Sequence, residues 1–70
     1  MVVYGYSLKN KKKLLEMKEV TFQVSQKEAQ QLADFFSKCA TEMTKPNWDH
    51  EHFNGGNIPD VIVLISHHGE

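Results

Sequence analysis

The sequence predicts an α+β fold, a small two-layer β-β-α-β-β arrangement in which one helix covers one face of a mainly antiparallel four-stranded sheet. Three observations carry that prediction. A capped amphipathic run begins at Ser25 and meets a proline stop at Pro46; apolar residues alternate with period two before it; and a strand signature, Val61-Ile62-Val63-Leu64-Ile65, follows it. At 70 residues the chain is a single domain spanning its whole length, with a modest core and no expectation of a deep substrate cavity.

Val2, Tyr4, Tyr6 and Leu8 recur at every second position, the period of a half-buried strand. The next residues, Lys9, Asn10, Lys11, Lys12 and Lys13, include no apolar member, and Asn suits tight turns, so they form a hairpin loop. A second alternating run comprises Val20, Phe22 and Val24. Leu15 and Met17 have the opposite parity, which predicts either a bulge near Lys18-Glu19 or a pair of apolar residues on the outer face of the sheet.

Ser25-Gln26-Lys27-Glu28 is a capping box, with hydroxyl and carboxylate each poised to bond the other's backbone N–H. Ala29, Leu32, Ala33, Phe36, Ala40 and Met43 then follow the spacing of one helical face, with Phe35 and Cys39 widening the stripe. Asp34 and Lys38 stand four apart, a pairing worth only about 0.3 kcal/mol. Pro46 disfavours helical geometry at Lys45, so the helix ends by about Thr44. Beyond it, residues 48–53 predict a short strand, Asn54-Gly55-Gly56-Asn57 a turn, and residues 59–65 a strand apolar on both faces. Such a strand belongs inside a sheet, beside the first.

The charges divide the chain. Residues 1–45 hold all 8 Lys and 5 acids, whereas residues 46–70 hold 4 acids, no Lys and all 4 His. No apolar run approaches the ~20 residues of a membrane span, and the N-terminus has no signal-peptide order. A lone Cys39 forms no internal disulfide and lies inside the helix, away from anything that activates a thiol. Together these predict a cytoplasmic protein in a reducing setting, away from membranes.

No GxSxG, HExxH or Walker pattern occurs, and no catalytic constellation is visible, so the expectation is a non-enzyme without a cofactor. His50 and His52 point to the same side of a strand and are candidate metal ligands. Zinc takes four donors, however, and no spacing rule supplies the other two, so stoichiometric zinc is not expected. His67-His68 sits next to the C-terminus, where metal capture is opportunistic. The lysines of residues 9–13, with Tyr4 and Tyr6, suggest a weak nucleic-acid contact. The complete absence of Arg and the net charge of -1 argue against it.

One helix covers one face of a sheet, which leaves the other open. Parity places Val3, Leu15, Met17, Ile62 and Leu64 on that face, or their partners if the sides are reversed. An apolar patch on so small a chain is an interaction surface, covered by a homodimer or a dedicated protein partner. The expected contact residues are Leu15, Met17, Trp48, His50, His52 and Leu64.

Across residues 20–65 the chain resembles the immunity protein 32 family of bacterial polymorphic toxin systems. The resemblance lies in the Glu28 to Phe36 helix segment, in Trp48-Asp49-His50-Glu51-His52-Phe53 and in Pro59-Asp60-Val61-Ile62-Val63-Leu64. Only His50, His52 and the Asp60 to Leu64 strand match residue by residue, and the N-terminal hairpin has no counterpart. The resemblance implies a non-enzymatic protein that binds and neutralises a cognate toxin. The metal-binding reading at His50 and His52 stands as the alternative.

Overall fold

The Ser25 hydroxyl accepts the Glu28 backbone N–H at 3.2 Å, and Glu28 Oε1 accepts the Ser25 N–H at 2.8 Å. This reciprocal cap starts the helix α1 (Gln26–Glu42) where the sequence predicts it, and Met43 closes it by donating its N–H to the Cys39 carbonyl. The computed structural model describes residues 1–53 and 59–66; the expected turn at 54–57 and the His67-His68 pair lie outside them. Around α1 stand four strands, β1 (Val3–Gly5), β2 (Leu15–Met17), β3 (His50–Phe53) and β4 (Val61–Leu64). The class is α+β. Among the described residues no helix is long and apolar enough to cross a membrane.

The strands pair as two antiparallel ribbons, β1 with β2 and β3 with β4, and no described ladder joins one ribbon to the other. The expected single sheet, with the last strand beside the first, is therefore not the pairing observed. Each strand has taken the neighbour closest in sequence, the pairing with the smallest loop-closure cost. The first ribbon is built on Leu15 and Met17, opposite Gly5 and Val3. Residues 18–25 carry no strand, so the Val20, Phe22 and Val24 alternation is unpaired, and the expected bulge near Lys18 has no ladder to interrupt. Between β1 and β2, Ser7 Oγ accepts the Asn10 N–H and Asn10 Oδ1 accepts the Lys12 N–H, the local bonding expected of a turn.

Among the described residues only Phe35 and Cys39 are buried, with Leu32 and Met43 half-buried beside them. The helix thus presents to the second ribbon the side that the sequence assigns to the margin of its apolar stripe. Phe36 is 45% exposed, and Ala29, Ala33 and Ala40 are exposed with it. The reason is the aromatic partner: Phe35 meets Phe53 of β3 at a ring separation of 5.2 Å, and that contact sets the helix's rotation. Lys38 follows, reaching Glu51 of β3 at 3.7 Å, while Asp34 instead accepts from Gln30 Nε2 at 2.9 Å. At the C-terminal end Lys45 pairs with Glu42 at 2.8 Å and, chiefly through that hydrogen bond, holds its carboxyl below the ordinary range.

The bond to the Ser25 backbone, then that to its hydroxyl, lowers the Glu28 pKa below its ordinary 4.5. A carboxylate lowered in the folded state stabilises fully above its unfolded value and loses that contribution as pH falls through the folded one. Helicity of Glu28→Gln should therefore change less than wild type between neutral pH and about pH 3, and Ser25→Ala should cost about 1 kcal/mol in denaturant melts. Phe35→Ala should cost about 3 kcal/mol or more, enough to unfold most of so small a chain.

Candidate functional site

The second ribbon has two unlike faces. Its register pairs His50 with Leu64, Glu51 with Val63, His52 with Ile62 and Phe53 with Val61. Glu51, Phe53, Val61 and Val63 are half-buried on the helix side. His50, His52, Ile62 and Leu64 face outward, with Ile62 52% and Leu64 62% exposed. The Ile65 N–H donates to the Asp49 carbonyl at 3.0 Å, which makes 49 and 65 a hydrogen-bonded pair of the antiparallel ladder. By alternation His50 with Leu64 and His52 with Ile62 are non-hydrogen-bonded pairs, in which facing side chains sit closest. The outer face is therefore a tight block of two imidazoles against two branched aliphatic chains.

The imidazoles are themselves neighbours, with ring centroids 5.1 Å apart and planes at 72°. Asp49 Oδ2 lies 2.7 Å from His50 Nδ1. An ionised carboxylate only accepts, so Nδ1 is the donor in this contact and Nε2 is the ring nitrogen outside it. Residue spacing alone did not assign Asp49 this orienting role. Its adjacency to a histidine was the available signal. Among the described residues no group of three or more His, Cys, Asp or Glu is placed to hold a metal ion.

Of the six expected contact residues the structure brings His50, His52 and Leu64 together and adds Ile62. Leu15 and Met17 are 39% and 40% exposed but belong to the other ribbon, so they are not continuous with that face by any ladder. Trp48 precedes β3 in the turn after α1, half-buried, with its N–H donated to the Lys45 carbonyl at 3.3 Å. A separate open groove of about 350 Å³ runs between residues 21–24, the start of β4 and Leu32 of α1, with Phe22, Val24, Pro59 and Val61 along it. Cys39 is shielded from all of these. Burial raises its thiol pKa, the nearby Glu51 charge adds to the rise, and Lys38 opposes it.

The surface as a whole is large for the mass. The chain exposes 6542 Å² and has a radius of gyration of 13.2 Å. A compact chain of 8.1 kDa exposes about 4,500 Å², and one of this length has a radius near 11 Å by the usual scaling (roughly). Tyr4 and Tyr6, 55% and 60% exposed, contribute on the first ribbon, and Phe36 on the helix.

No protein-family model matches the chain, and no curated protein or solved structure matches it.

The buried thiol gives a direct check on the packing. Alkylation of Cys39 by a neutral maleimide at pH 7 should be at least tenfold slower in the folded chain than in denaturant, and Phe35→Ala should abolish the difference.

Proposed function

We propose that the chain is a small, non-enzymatic protein-binding module, acting in the cytoplasm as an immunity-type inhibitor that binds and neutralises a cognate bacterial toxin. The observation that carries this reading is the surplus of exposed apolar surface on a chain whose described residues bury only the side chains of Phe35 and Cys39. A partner that binds only the folded state raises its stability by mass action, and a typical specific interface removes about 800 Å² from each side. His50, His52, Ile62 and Leu64 supply the centre of the contact, with Leu15, Met17 and Trp48 as outlying ones. The acidic C-terminal third suits a basic partner surface and speeds the encounter more than it deepens affinity.

The single four-stranded sheet belongs to this reading as well. In that sheet the apolar last strand, β4, lies beside the first and takes the interior position its sequence suits.

Capture from the native host followed by a protection assay tests the function. The captured protein, produced alone, should arrest bacterial growth, and co-production of the wild-type chain should restore it. Leu64→Asp should lose both capture and protection, whereas Lys27→Ala, on the polar side of α1, should keep both. A captured protein that is harmless by itself, or a Leu64→Asp chain that protects as well as wild type, sinks the proposal.

A further inference from the structure

Two imidazoles are more than an apolar docking face needs. We propose that His50 and His52 are one half of a transition-metal site, completed when a second copy of the chain brings the same pair to one shared divalent ion of the zinc class. Zinc binds imidazole nitrogen at roughly 2.0–2.1 Å, so two rings on one tetrahedral ion have centres roughly 5 Å apart. The observed separation is 5.1 Å, and both residues are on the exposed face of the strand. Asp49 supplies the usual partner of a metal-ligating histidine: with its carboxylate 2.7 Å from Nδ1 of His50, Nε2 is the ring nitrogen left for an ion.

One chain offers two ligands, and among the described residues no group of three is placed to hold a metal ion. A two-fold axis supplies the missing two without any new residue type. Tetrahedral geometry sets the two chelating pairs at right angles, so the β3 strands of the two copies cross nearly perpendicularly, one of the two ways in which sheets pack face to face. Ile62 and Leu64, directly opposite the imidazoles, then close around the ion as an apolar rim. The ion's charge also offsets the repulsion between two chains of net charge -1. Because this contact uses the face assigned above to a protein partner, the metal-bridged dimer and that complex exclude each other. The metal proposal nevertheless rests on ring geometry alone and survives or fails independently of it.

Sedimentation of the full chain, stripped with chelator and then titrated with zinc chloride, tests the proposal. The stripped chain should run as a monomer, and its mass should double at half an equivalent of zinc. His50→Ala and His52→Ala should each remain monomeric in zinc, and helical circular dichroism should confirm that these exposed substitutions leave the fold intact. A His67→Ala, His68→Ala double variant should still dimerise, which separates the site from the C-terminal histidines. Absence of zinc binding, one-to-one binding without a change in mass, doubling in chelator, or doubling that persists in either β3 variant would each overturn the assignment.

Discussion

Phe35 of α1 meets Phe53 of β3 at a ring separation of 5.2 Å, and the orientation of every neighbouring group follows from that contact. It fixes the helix's rotation, which places Cys39 one turn on in the same interface and carries Lys38 to Glu51. It also decides which face of the second ribbon is inside. Since Phe53 and Glu51 point inward, the pleat sends His50 and His52 outward, and the antiparallel register sends Ile62 and Leu64 with them. The chemistry of the outer face is thus a consequence of an aromatic pair on the inner one.

Local determinants were legible in the sequence, and the choice among distant partners was not. The capping box, the stop before Pro46 and the existence of strands before and after the helix all rest on contacts within a few residues. Which side of the helix is buried rests instead on Phe53, eighteen positions beyond Phe35, and the periodicity of Leu32, Phe36 and Ala40 gave no hint of it. The same limit applied to the sheet. Val20, Phe22 and Val24 have the pattern of a strand, yet Leu15 and Met17 hold the ladder with β1 because the lysine-rich turn brings them there first. For the site, parity correctly grouped Ile62 with Leu64, and the two-residue spacing grouped His50 with His52. That these two pairs face each other is a fact of register, which depends on a connection outside the described residues.

Among the described residues the core is one aromatic and one thiol, which leaves the fold dependent on local terms to an unusual degree. Hydrophobic burial in a chain of this size is already small, and here the apolar flank of α1 and both ribbons contribute little to it. The cap at Ser25, the Glu42–Lys45 pair and the turn bonds of Ser7 and Asn10 each supply a modest increment, and their sum matters because the central term is weak.

The free side of β4 has a consequence for how the chain behaves in a crowded cell. Alternation along the ladder turns the backbone N–H and C=O groups of Ile62 and Leu64 away from β3, and no described strand lies against them. Residues 61–66 contain neither charge nor proline, the two devices by which edges are usually blunted, although the lysines next to the first ribbon show the chain using one of them elsewhere. Such a stretch is a template for cross-β stacking. Aggregation through β4 is then set by how much of the time that edge stands open, so the chain's solubility depends on the pairing of one strand as much as on its melting point.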